Sequence, residues 1–199
     1  PSGGTGPYTY MVDGAVRANP VTGLAPGNHT YLVIDSNGCT TSGTFVITEP
    51  TAVAVSLIVT NSTCYSADNG TVAVTASNGT PPYTYSYDGG SYVAGNTKGS
   101  LAAGPHTVNV KDANGCIKGS DFTVTEPTDI SVIKTVVNPS YSGASDGSIA
   151  LAISGGTYPI VVTWADGTVF NLSSAGSILY GGLSQGSYTA TVVDANSCS

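Results

Sequence analysis

Hydrophobic positions along this chain fall on a period of two. Val53, Val55, Leu57 and Val59 alternate with other residues. That run is strand A of a repeat, and the same spacing returns at Val72, Val74 and Ala76 (strand B), at Tyr83, Tyr85 and Tyr87 (strand C), at His106, Val108 and Val110 (strand F), and at Phe122 and Val124 (strand G). Residues two apart share one face of an extended chain, so each run predicts a strand with one face on a core. Turn signals separate the runs: Asp68-Asn69-Gly70, Asp88-Gly89-Gly90, Ala103-Gly104-Pro105 and Asn114-Gly115. Short strands near Tyr92-Val93 and near Leu101 complete the series, and no stretch carries a helical period. Seven short strands bounded by turns predict an all-β chain of immunoglobulin-like or fibronectin-like sandwiches.

The pattern repeats. Leu24 leads to Asp35-Ser36-Asn37-Gly38-Cys39, Leu101 to Asp112-Ala113-Asn114-Gly115-Cys116, and Leu183 to Asp194-Ala195-Asn196-Ser197-Cys198, with the same Leu-to-Cys spacing each time. Thr48-Glu49-Pro50 and Thr125-Glu126-Pro127 close the first two units. A fixed long period means a tandem array. The boundaries expected are 1–50, a repeat lacking its first strands; 51–127, a complete repeat; and 128–199, a repeat lacking its last strand. The third repeats the scheme with Ile149, Leu151 and Ile153, then Val162 and Trp164, then Tyr188, Ala190 and Val192. Trp164 falls where such sandwiches bury an aromatic of strand C, so it reads as core. An odd strand number sends the two ends of a domain to opposite poles, and the Glu-Pro joints leave almost no linker. The array should therefore stack end to end as a semi-rigid rod.

Composition narrows the function. The chain is 40% hydrophobic, enough for a core, and only 9% charged, against roughly 25% in ordinary soluble domains. Its net charge is −7 and its five basic residues are scattered, so nucleic acid is not an expected partner. No apolar run approaches the roughly 20 residues of a membrane span, so membrane insertion is not expected. The start, Pro-Ser-Gly-Gly, is no signal peptide, so an export signal is expected outside these residues.

Candidate chemistry is sparse. His29 and His106 occupy one place in the first two units, and the third has Tyr188 there. An active site would not be copied and then replaced, so these read as inward residues at the start of strand F, near the corner where sandwiches keep a Tyr. The Asp-x-Asn turns at Asp35, Asp112 and Asp194 resemble fragments of a calcium loop but lack its terminal Glu. Asx side chains closing onto their own backbone explain them without a metal, and calcium remains an option chiefly at a domain joint that could add oxygens. The sequons at Asn28, Asn61, Asn69, Asn78 and Asn171 read as turns. The pairs Tyr8/Tyr10 and Tyr83/Tyr85 lie either on a core face or on a sugar-stacking face, with the core preferred. No nucleophile–base set survives across the units, so no catalytic residues, enzymatic activity or small-molecule cofactor are expected.

The strings Gly-Gly-Thr-Gly-Pro-Tyr-Thr-Tyr at 3–10, Gly-Thr-Pro-Pro-Tyr-Thr-Tyr at 79–85, Asp-Ala-Asn-Gly-Cys at 112–116 and Thr-Glu-Pro at 125–127 resemble the SprB repeat of very large cell-surface proteins of gliding Bacteroidetes. The third unit departs from it, with Gly-Gly-Thr-Tyr-Pro-Ile at 155–160 and Asn196-Ser197-Cys198. The resemblance implies secretion by the type IX route, extracellular display as a long surface filament, and adhesion during gliding motility. Expected partners are neighbouring repeats of the same chain and, in an adhesive role, surface polysaccharide. The competing expectation is a carbohydrate-binding or spacer array attached to a secreted hydrolase.

Regularly placed cysteines in an extracellular chain predict disulfides. Cys39, Cys116 and Cys198 follow strand F, whereas Cys64 follows strand A and has no counterpart in the third unit. Joining Cys64 to Cys116 leaves Cys198 alone in its unit, and joining Cys39 to Cys64 leaves Cys116 alone. Joining Cys64 to Cys198 across units suits the strand parity and leaves no orphan, with Cys39 and Cys116 reaching upstream repeats outside these residues. The first and third of these pairings stay open from the residues alone.

Overall fold

The structure is a computed structural model that describes residues 1–199. It contains sixteen strands and no helix. The chain divides into two compact units, Pro1–Thr51 and Ala52–Ser199.

The first unit is a single antiparallel sheet. Its strands are β1 (Thr9–Val12), β2 (Ala15–Arg17), β3 (Gly27–Ile34) and β4 (Thr40–Ile47), in the order β2-β1-β3-β4. The hairpin between β1 and β2 turns at Asp13-Gly14, where both residues take positive φ, as such tight turns require.

In the second unit the strands are β5 (Ala54–Thr60), β6 (Gly70–Ser77), β7 (Thr84–Tyr87), β8 (Thr97–Leu101), β9 (Gly104–Lys111) and β10 (Ile117–Val124). They form two facing sheets, β5-β6-β8 and β10-β9-β7, with Val93 bridged to Tyr85 at the edge of the latter. Strands A, B and E thus oppose G, F and C, the order of a fibronectin-like sandwich. The alternation predicted from sequence is what fills it. Val72 and Val74 from one sheet meet Val108, Val110 and Val124 from the other, all essentially inaccessible to solvent.

The same unit continues with β11 (Ser131–Val137), β12 (Gly147–Ser154), β13 (Ile160–Trp164), β14 (Val169–Leu172), β15 (Gly176–Leu183) and β16 (Ala190–Val193). Here the sheets are β11-β12-β15 and β14-β13-β16. Their core is larger-grained: Ile149, Leu151, Ile153, Ile160, Val162 and Trp164 are buried together. Trp164 stacks on Tyr180 with centroids 4.4 Å apart, so it is a core aromatic. Tyr188 lies just before β16 rather than in it. Its hydroxyl donates to Ser184 O at 2.9 Å and holds this segment as a turn.

Candidate functional site: a clamped turn and a bridge between repeats

The Asp-x-Asn motif is one half of a clamp. Asp112 Oδ1 accepts from the backbone N–H groups of Asn114 (2.9 Å) and Cys116 (2.8 Å), closing its own turn. Its other oxygen accepts from Thr80 N–H at 2.9 Å, in the turn between β6 and β7. Asn114 Nδ2 donates to the Thr80 hydroxyl at 2.8 Å, and Ala113 N–H donates to Thr80 O at 2.8 Å. The Gly-Thr of the Pro-Tyr motif and the Asp-x-Asn turn are therefore the two jaws of one device.

All three copies build it. Asp35 holds Asn37, Cys39 and Thr5 N–H, and Asp194 holds Asn196, Cys198 and Thr157 N–H. Backbone donors to a carboxylate favour its charged form. The Asp35 and Asp112 carboxyls accordingly lie below the usual value, led by the donors of Thr5 and Thr80. At Asp194 partial burial opposes the shift, yet its three backbone donors still bring the value down. Every oxygen of this carboxylate is engaged by the backbone, which leaves it a poor cation ligand.

The glycine before each Thr is required by the same contact. Gly79 has φ +64°, and a Cβ there would lie 2.8 Å from both Asp112 Oδ2 and Val53 Cγ2. Gly4 and Gly156, at φ +76° and +63°, also face their clamp aspartates.

What the clamp presents is a cysteine and an asparagine amide. In the third copy both reach the preceding repeat. Cys198 is disulfide-bonded to Cys64, with Cα atoms 5.7 Å apart, well inside the permitted range. Asn196 Nδ2 donates at 2.8 Å to Thr63 O, beside Cys64. Within the third repeat, beside the joint, Thr128 O accepts from Gly156 N–H at 2.8 Å. Cys39 and Cys116 are free and exposed, so the within-repeat pair Cys64–Cys116 is not the one adopted. The physical reason is direction: β5 carries Cys64 away from the β9–β10 turn and towards the following repeat.

The histidines form a second, separate constellation. His29 Nδ1 meets Asp13 Oδ2 at 2.7 Å and its Nε2 meets Ala25 O at 2.7 Å. His106 is placed likewise, 2.9 Å from both Asp88 Oδ2 and Ala102 O. Each ring nitrogen faces an acceptor, so the imidazolium satisfies both as a double donor. His29 is raised above 6.5 first by Asp13 and then by Ala25, and His106 first by Ala102 and then by Asp88. Each ring stacks on a Phe of the neighbouring strand, Phe45 or Phe122. The Nε2-to-carbonyl bond spans four residues, as does the bond from Tyr188 to Ser184. His and Tyr are alternative fillings of one corner. Neither nitrogen is left over for a substrate or metal.

Sequence reasoning missed the partners. It read Asp88-Gly89 only as a turn, although the Asp-Gly dipeptide recurs at Asp13, Asp88 and Asp166. Asp166 accepts from Tyr180 OH at 2.6 Å. It also missed Thr5, Thr80 and Thr157 as the second jaw, although Gly-Thr recurs ahead of each Pro-Tyr-like string. Of the tyrosine pairs, Tyr85 is buried while Tyr8, Tyr10 and Tyr83 are half-buried. Tyr83 OH donates to Asn78 O and Tyr8 OH to Gly3 O, which ties them to their own turns.

These features define the class: tandem all-β sandwiches of the immunoglobulin-like and fibronectin-like kind, joined by a clamped turn. The SprB repeat family model matches residues 56–91. That stretch runs from β5 through the turn after β7, and the match agrees with the family that the motifs resemble. Among solved structures, the chain is similar to the N-terminal eight Ig domains of Down Syndrome Cell Adhesion Molecule isoform 1.30.30. The identity is 12% over 93% of this chain and 32% of that one, with a TM-score of 0.44. It is also similar to the central fibronectin-III array of RIM-binding protein, at 17% identity over 96% of this chain and 81% of that one, with a TM-score of 0.25. The chain thus spans about a third of the length of the first. No curated protein matches. The fold assignment rests on the strand order above and not on these likenesses.

Proposed function

We propose that this chain is a load-bearing repeat segment of a long, secreted cell-surface filament, an adhesin of the gliding type exported by the type IX route. The observation that carries the reading is the Cys64–Cys198 bridge, which ties one repeat to the next. A filament dragged over a surface fails first at its joints, because each small core buries little area against its neighbour. A covalent link there transmits tension past the joint. Structural disulfides also suit an extracellular, oxidising location. The exposed Cys39 and Cys116 sit on the same clamped turn as Cys198, and in this reading each bridges to the repeat upstream of its own. The partners are neighbouring repeats, and adhesion is to surface polysaccharide. No role as an enzyme enters the reading, since the Asp and His groups are consumed by structural bonds.

The test is immunolabelling. Antibodies raised against the chain should decorate intact cells of the source organism, and deleting the repeats from the reading frame should abolish adhesion and gliding. Labelling confined to permeabilised cells would overturn the proposal.

A further inference from the structure

The closing motif Thr125-Glu126-Pro127 does more than end a repeat. Thr125, one residue past β10, donates its N–H to Asn61 Oδ1 at 3.0 Å and accepts from Ser62 N–H at 2.9 Å. The half-buried Glu126 accepts through Oε2 from Ser66 N–H at 2.6 Å. Both holds land on the turn between β5 and β6, one on each side of Cys64. Pro127 and Ile130, which follow, line a hollow of about 310 Å3 with Cys64, Tyr65, Asp194 and Cys198. The motif therefore grips the turn of the bridging cysteine just before the chain enters the next repeat.

That turn is a costly one for its residues. Ser66 has φ +52° and Asp68 has φ +48°, left-handed conformations that a residue with a Cβ enters only when its surroundings impose them. Asn69 holds one side of the turn, accepting from Thr63 N–H at 3.0 Å and donating to the Thr63 hydroxyl at 2.7 Å. Glu126 holds the other side, at Ser66.

The third repeat builds the same turn without a cysteine. Asp146 accepts from Ser140 N–H at 2.9 Å as Asn69 accepts from Thr63 N–H, and Ala144 N–H donates to Tyr141 O as Ala67 N–H donates to Cys64 O. Tyr141 thus stands in the place of Cys64, and Gly143, at φ +89°, in the place of Ser66. Glycine takes a left-handed φ with no Cβ to penalise it. The serine beside the cysteine needs an outside hold, and Glu126 supplies it.

We propose that Glu126 is a positioning residue for the bridge between repeats: by holding Ser66 left-handed it sets the direction of the Cys64 sulfur and so favours the Cys64–Cys198 disulfide. A thiol on a pre-set turn has less freedom left to lose when it bonds. The oxidation itself needs an external disulfide. One protein thiolate attacks it and expels a thiol, and the other then displaces the second, so two protein thiols give up two protons and two electrons and the oxidant leaves as two thiols. Glu126 lies two residues past β10, which packs against β5. Its carboxylate reaches Ser66 once that strand has docked, so the aim of Cys64 depends on completion of its own repeat. The inference rests on the bridge and its turn, and holds whether or not the chain is a filament.

The test is the thiol–disulfide equilibrium of the 199-residue chain in glutathione buffers of graded ratio. Thiols are trapped by alkylation, and Cys64 and Cys198 are read by peptide mass spectrometry. Glu126→Ala is expected to lower the equilibrium constant of the bridge on the order of tenfold, the size of one hydrogen bond to a charged group. Glu126→Gln keeps an acceptor oxygen and should lose less. Adding Ser66→Gly to Glu126→Ala should recover most of the loss. A residue that supported only the fold would stabilise the oxidised and reduced chains alike and leave this constant where it was. An unchanged constant in Glu126→Ala would therefore overturn the proposal. So would a loss that Ser66→Gly does not recover, which would assign Glu126 to the repeat as a whole and not to the aim of Cys64. Should Glu126→Ala not fold, Glu126→Gln with and without Ser66→Gly decides by the same criteria.

Discussion

Cutting the Cys64–Cys198 bridge should have two measurable consequences whose sizes follow from where it sits. The cysteines are 134 residues apart in sequence. Pulled from its ends, the intact chain cannot extend through the enclosed segment, however completely the sandwiches unfold. At about 3.3–3.6 Å per extended residue the bridge hides roughly 440–480 Å of contour length. The second consequence is thermodynamic. Chain-entropy arithmetic for so long a loop gives about 5 kcal/mol, while disulfides usually deliver about 2–4 kcal/mol. Taking the lower figures, and about 2–4 °C per kcal/mol for a unit the size of Ala52–Ser199, loss of the bridge should lower the Tm by about 4–16 °C.

Single-molecule stretching of the chain, oxidised and after mild reduction, reads the first effect. Differential scanning calorimetry of Cys64→Ser reads the second. Non-reducing peptide mapping should recover one linked pair, Cys64 with Cys198. Equal contour lengths before and after reduction would refute the load path. A Cys64–Cys116 peptide would refute the geometry of the joint.

Two further outcomes test the clamp and the histidine corner. Gly79→Ala adds a Cβ at φ +64° directly against Asp112 and Val53, and should cost about 2–4 kcal/mol, whereas Gly89→Ala, at φ +73° in open space, should cost only about 1 kcal/mol; chemical denaturation of both variants checks the contrast. Stability should also be bounded on two sides in pH. The carboxyls of Asp13, Asp35 and Asp112 are held below 3.8, so their contribution is present above that pH and lost as pH falls through the lowered values. His29 and His106 are raised above 6.5, so theirs is present below 6.5 and drains away as pH rises through the raised values. Tm should plateau between these limits, and His29→Gln with His106→Gln should flatten the decline on the alkaline side; an unchanged alkaline limb in that double variant would refute the assignment.

Strands were legible in the sequence because burial on one face writes a period of two directly into residue type. Val72, Val74, Val108 and Val110 sit where that period placed them. The clamp was half legible. The turn-closing role of Asp112 follows from local chemistry, since an Asx side chain reaches its own backbone two residues on. Its bond to Thr80 crosses 32 residues, and no local rule connects them. The same limit hid Asp88 from His106. The corner itself was readable only by analogy, because His and Tyr share no periodic signal and converge solely through a carbonyl four residues back. Tyr188 shows the cost of reading periodicity to its end: a tyrosine in step with Ala190 and Val192 belongs to the turn, since its hydroxyl is held by Ser184.

The position of the bridge says more about mechanics than its presence does. Tension entering the complete repeat passes along β5, leaves at Cys64, crosses to Cys198 and exits at the clamped turn. Strands β6 to β16 lie off that path. They can fluctuate, open and reclose without the covalent route lengthening. On the load-bearing reading proposed above, stability and load are separated: the small cores need only be stable enough to position the clamp, and the covalent link carries the pull. This explains why the device repeated most faithfully is the turn and not the core. Val and Tyr in one repeat give way to Ile, Leu and Trp in the next, and His106 gives way to Tyr188. Asp, Asn and Cys keep their places in all three clamped turns, because the direction in which Cys198 points depends on the carboxylate holding its N–H. A clamp that slipped by one residue would turn the sulfur away from Cys64 and return the load to the joint.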